Sequence, residues 1–117
     1  MKDGTPYREE RPWGSFLQFT HNEPSTVKIL TINPGQAFSL QSHQHRTEQW
    51  HVISGTGTID IGEQEVPVMP GKDYSIPANT LHRITATELP VVVLEIATGD
   101  FDENDITRID DRYGRAA

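Results

Sequence analysis

An all-β jelly-roll barrel is the fold class this sequence predicts, and three observations carry it. Seven short stretches are rich in β-branched or aromatic residues, clusters of Gly, Pro, Asn, Asp and Ser separate them at short intervals, and no stretch shows a helical apolar stripe. Many short strands with frequent turns leave sheet edges to be hidden, and a jelly roll hides them while keeping an interior for a ligand.

In chain order, MKDGTPYREE is polar and predicts a flexible arm over residues 1–10, followed by one domain over residues 11–117. The first strand is expected at Gly14–Thr20, which holds Phe16 and Phe19, and NEPS turns the chain into a second at Thr26–Asn33. NPG then reverses the chain ahead of Gln41 and His43. Strands follow at Gln49–Ser54, Thr56–Ile61 and Val66–Met69, bounded by SGTG, GEQE and MPGKD. The last two are His82–Thr87 and Val91–Ala97, ended by ATGDFDEN. Residues 98–117 read as a polar tail able to fold back, and no internal repeat, linker or second domain is visible.

Composition narrows the function classes. A chain of 117 residues and 13.2 kDa suits a single core that buries roughly two thirds of the unfolded surface. The absence of cysteine excludes disulfides and thiolate metal ligands. A net charge of −7 argues against nucleic acid, which needs a basic surface. No apolar run approaches the roughly 20 residues that span a bilayer, and the start lacks an apolar signal-peptide core. The expectation is a cytoplasmic protein without a membrane partner.

The chemistry concentrates between Gly35 and Gly55. Strand alternation points Gln41 and His43 the same way, about 6 to 7 Å apart. Glu48 has the opposite parity and can join them only if the chain turns in between, for which the polar run His45-Arg46-Thr47 is the expected place. A second segment, Gly71–Arg83, offers His82 at the spacing of a neighbouring hairpin. Two imidazoles, a carboxylate and an amide oxygen suit a single divalent transition ion, with zinc first and Fe, Mn, Ni or Co as alternatives.

Those intervals resemble the cupin superfamily. Its first signature is Gly, five residues, His-x-His, four residues, Glu, six residues, Gly, and Gly35, Gln41-x-His43, Glu48 and Gly55 fit at every interval, with Gln41 in place of the first His. Reading His43-x-His45 as the pair leaves only two residues before Glu48 and breaks the pattern. The second signature is similar to Gly71–Ala86, where Pro77 and His82 match, Asn79 replaces a Gly and Ala86 an Asn. Asn tolerates the left-handed backbone that such a turn needs. The resemblance therefore implies the cupin double-stranded β-helix, with Gln41, His43, Glu48 and His82 as metal ligands.

Four ordered blocks, RPWGSF, NPGQAFSLQSHQHRTEQW, IPANTLHR and DITRIDDRYGR, together resemble the cupin domain of type II phosphomannose isomerases. There the domain usually follows a mannose-1-phosphate guanylyltransferase, for which 117 residues leave no room, so a stand-alone cupin is expected. The Gln-x-His-Pro-x-Lys motif of type I phosphomannose isomerases parallels Gln41 through Arg46, with Arg46 at the lysine's position. The implied function is metal-dependent conversion of mannose 6-phosphate to fructose 6-phosphate through an enediolate. A sugar or sugar-phosphate binding cupin without turnover and a metal-dependent oxygenase are the alternatives, because fold does not set the reaction. Family habit further implies a homodimer with a small sugar phosphate as its ligand.

Such an isomerase needs a metal for charge growing on the sugar oxygens, a base for one proton, and a cation for the phosphate. His45 is the expected base. Arg83 and Arg46 are the expected phosphate holders, with Lys28, Arg112, Tyr113 and Arg115 as contributors, although alternation turns Arg83 away from His82 unless the strand bends. Trp13 and Trp50 are expected in packing. His51 is expected at the surface or an interface, and His21 in a turn without a function. The acids Asp100, Asp102, Glu103, Asp105, Asp110 and Asp111 are expected on a solvated face.

Overall fold

The computed structural model describes residues 6–100, 102, 104–111 and 113, which form eleven strands and no helix. The strands are β1 Tyr7–Arg11, β2 Gly14–Gln18, β3 Ser25–Ile32, β4 Leu40–Ser42, β5 Arg46–Ser54 and β6 Gly57–Ile61, then β7 Gln64–Pro67, β8 Asp73–Ile76, β9 His82–Ala86, β10 Val91–Gly99 and β11 Thr107–Asp110. Two antiparallel sheets, β3-β10-β5-β8 and β11-β4-β9-β6-β7, make the jelly roll, and β1-β2 is a separate hairpin. None of the described elements is a helix long and apolar enough to cross a membrane.

Alternation builds the core. On β5 the buried residues are Arg46, Glu48, Trp50 and Val52; on β9 they are His82, Ile84 and Ala86. β10 adds Val91, Val93 and Glu95, and Ile32, Ile59 and Ile76 close the interior. Each fully buried Val or Ile contributes about 1.5–3 kcal/mol from water exclusion. Phe38 packs edge-on to Trp50, with ring centroids 6.2 Å apart. Gly55, at φ +118°, is required because a Cβ there would run into the carbonyl of Pro90.

Several local expectations change. Residues 7–10, expected within a loose arm, form β1 and pair with β2 from Tyr7↔Gln18 to Arg11↔Gly14; residues 1–5 lie outside the described ones. Trp13, expected in packing, is 73 % exposed at the tip of that hairpin. β5 starts at Arg46 rather than Gln49, because Arg46 and Thr47 pair with Gly99 and Thr98 of β10. The turn after β4 is therefore confined to residues 43–45. β8 and β11 carry few apolar residues, and they are strands because β5 and β4 offer them partners.

Candidate metal centre

His43, Glu48 and His82 converge at one end of the barrel, all buried, with one ligand atom from each lying within 4.8 Å of the others. Three different strand contexts bring them there. His43 follows β4, Glu48 faces inward from β5, and His82 opens β9, where it pairs with Gln41. The turn before His82 is held by Asn79 at φ 61°, the left-handed conformation its side chain tolerates, and the Asn79 N–H donates to the His43 carbonyl at 2.7 Å. One turn thus positions both histidines.

Backbone carbonyls set the imidazole tautomers. His43 Nδ1 donates to the Asp105 carbonyl at 2.7 Å and His82 Nδ1 to the Thr80 carbonyl at 2.9 Å. Each ring therefore aims the lone pair of Nε2 into the cluster, as a metal ligand must. Nε2 of His43 lies 3.5 Å from Glu48 Oε2, and Nε2 of His82 lies 3.7 Å from Glu48 Oε1. Among the described residues His82 Nε2 is buried without a hydrogen-bond partner, a costly state for a polar atom that a bound cation would relieve. Burial holds the His82 pKa below the usual imidazole range despite the opposing pull of Glu48, which keeps the ring neutral for ligation. The donor set fits a divalent transition ion.

Around the cluster is a cavity of about 190 Å³, lined by Gln41, Lys28, Arg46, Trp50, Glu95 and Phe38 among others. Gln41 accepts a hydrogen bond from the buried Ser39 hydroxyl at 2.7 Å. Arg46 donates to Glu48 Oε2 at 3.0 Å and to His43 Nε2 at 3.1 Å, and the Trp50 indole N–H reaches Glu48 Oε1 at 3.3 Å. Glu95 faces Lys28 across the β3–β10 ladder. Burial first, then the charge of Glu48 and a hydrogen bond with it, push the Glu95 pKa up to about 7.

Other residues singled out in the sequence are placed elsewhere. His45 is exposed and lines surface depressions outside the cluster cavity, because it sits at the outer side of the turn. Arg83 points away from His82, as alternation requires, and donates to the Phe38 carbonyl and to Asp110. Tyr113 is exposed, with its hydroxyl on Gln36 beside a different pocket, while Arg112 and Arg115 fall outside the described residues. His51 pairs with Asp73 at 2.8 Å on the outer face of β5. His21 is exposed and contacts Gln18 and Asn22.

Two contributors escape a reading of the sequence. Asp105, expected on a solvated face, accepts the backbone N–H groups of Gln44 and His45 at 2.8 and 2.9 Å while its carbonyl orients His43. The Gln44 N–H leads the causes that hold its carboxyl below the usual range. Glu95 is the other, and its signal was present as the single charge in VVVLEIATG.

Comparison with known proteins agrees with this architecture. Residues 5–111 match the family described as mannose-6-phosphate isomerase C-terminal. The chain is 36 % identical over 107 residues to the xanthan biosynthesis protein XanB of Xanthomonas campestris pv. campestris, covering 90 % of this chain and 23 % of that protein. It is 37 % identical over 106 residues to a mannose-1-phosphate guanylyltransferase of Salmonella muenchen, covering 89 % and 22 %. It thus spans under a quarter of the length of these relatives. A cupin protein from Bacteroides fragilis shares the fold, with a TM-score of 0.59 at 21 % identity over 69 % of this chain and 74 % of that one.

Proposed function

This chain belongs to the mannose-6-phosphate isomerase C-terminal family, and we propose that it is a metal-dependent aldose–ketose isomerase acting on mannose 6-phosphate. Gln41, His43, Glu48 and His82 hold the ion in this reading. The observation that carries it is the buried, unpartnered Nε2 of His82, aimed at Glu48 beside an equally oriented His43.

When bound, the ion supplies stabilisation of negative charge on adjacent sugar oxygens. The chain's own groups do the rest. Glu95, in the same cavity, takes the place of His45 as the group that carries a proton between C1 and C2. Lys28, its cross-strand neighbour, is a cation within the cavity suited to the phosphate, a role that Arg83 cannot take from the outer face. Phe38 and Trp50 exclude water from the inner wall.

The test is conversion of mannose 6-phosphate to fructose 6-phosphate by purified protein loaded with zinc, and its loss on chelation. Tight binding of the sugar phosphate with no conversion would instead favour a binding module. Oxygen uptake by iron-loaded protein would favour an oxygenase.

A further inference from the structure

We propose that Arg46 is an internal counter-ion that competes with the metal ion for His43 and Glu48, so that loading the metal and releasing the guanidinium are one exchange. The inference rests on the metal site proposed above and is independent of the reaction catalysed there.

The lone pairs set the conflict. The Asp105 carbonyl can only accept, so the proton of His43 is on Nδ1 and Nε2 presents one lone pair to the cluster. A guanidinium has only donors, and Arg46 Nη2 aims one of them at that lone pair from 3.1 Å. A metal ion needs the same lone pair. Glu48 is contested too, since Oε2 takes the Arg46 Nε–H at 3.0 Å and Oε1 takes the Trp50 indole N–H at 3.3 Å. Arg46 thus satisfies two of the three clustered side chains, and His82 Nε2, which it does not satisfy, is left as a bare buried acceptor. An ion in the cluster would serve all three.

Burial makes the exchange matter. Glu48 is 2 % exposed and Arg46 8 % exposed, so an ionised Glu48 needs a cation at close range in every state of the site. Without metal, Arg46 is that cation, held in place by the inward register of β5 and by its Nη1 contact with the Asp102 carbonyl at 3.3 Å. With metal, a second positive charge within a few ångströms repels it. The apparent metal affinity is then the intrinsic one reduced by the fraction of molecules whose arginine is displaced.

The experiment measures zinc affinity of the full chain by competition with a chromophoric chelator, before and after Arg46→Gln, together with thermal unfolding of both forms. Arg46→Gln is expected to bind zinc about ten- to a hundredfold more tightly. Its metal-free form should melt lower than the unaltered chain, so that zinc raises its Tm by more. Arg46→Lys, which keeps the charge but not the fork of donors, should fall between the two and serves if the first variant fails to fold. In the unaltered protein, zinc titration should shift one arginine Nε–H NMR signal in step with occupancy. Unchanged or weaker zinc binding in the variants, or arginine signals that stay still through saturation, would show that Arg46 supports the site and overturn the proposal. Absence of zinc binding by every form would overturn both this proposal and the metal reading.

Discussion

The two ends of this barrel are built from the same strands and do opposite things. Along the inner face of β3 the residues run Lys28, Leu30, Ile32; along β5, Arg46, Glu48, Trp50, Val52; along β9, His82, Ile84, Ala86; and along β10, in the reverse direction, Glu95, Val93, Val91. β5 and β9 begin their inward rows with polar or charged groups and continue into apolar ones, while Lys28 on β3 and Glu95 on β10 sit next to aliphatic inward neighbours. Alternation therefore decides which residues face inward, and position along the strand decides whether they join the polar cluster or the apolar core. The apolar end can be a close-packed core because the polar groups gather at the cluster cavity, where Arg46 meets Glu48 and His43 while His82 Nε2 has no partner among the described residues.

Two residues on the inner face of β9 give the sharpest way to break the comparison. His82→Ala should weaken zinc binding by more than about a hundredfold, beyond what loss of a supporting group costs, and abolish sugar-phosphate turnover. Metal analysis after dialysis and the isomerase assay would check it. Ile84→Ala should instead lower unfolding free energy by about 2–5 kcal/mol through the cavity it leaves, while zinc affinity stays close to that of the parent. Denaturant titration beside chelator competition separates the two, and equal behaviour of both variants would erase the distinction between the ends.

A smaller effect concerns the buried acid of the polar end. The Glu95 carboxyl is raised from 4.5 to about 7, so the folded state holds its proton more tightly than the unfolded chain does. The stability this contributes is fully present below pH 4.5 and is lost as pH rises through about 7. Metal-free protein should therefore lose stability over that range, and Glu95→Gln should flatten the slope in urea titrations. A variant that keeps the full slope would assign it to other groups. The smallest effect is expected at the rim, where His45→Ala should leave kcat/KM within about twofold, because a side chain outside the cavity contributes little to transition-state binding. A larger loss would return His45 to the catalytic role that its place in the sequence suggests.

Much of the site was legible because its signals are local. Gln41 and His43 share a face by alternation, Glu48 arrives after a turn, and Asn79 announces a left-handed position before His82; each needs only a few residues of context. The objection from parity to Arg83 was also local and correct. What failed depended on pairing. Arg46, expected in a turn and as a phosphate holder, is instead in β5 through its pairing with β10 and is a buried partner of Glu48. Asp105 looked solvated because its partners are about sixty residues away, and no periodicity carries that contact. β8 and β11 have little propensity of their own and form because neighbours need their backbone groups satisfied.

The sequence by itself determined the all-β class and most strand positions, because strand alternation and turn chemistry act over a handful of residues, and the grouping of His43, Glu48 and His82 was legible through the resemblance of their intervals to the cupin signatures. Only the tertiary structure decided which charges surround those side chains. Long-range ladders hold Arg46 in an inward-facing strand and bring Glu95 to the cluster, and the hydrogen bond from His43 holds Asp105 there, contacts that a single strand cannot encode.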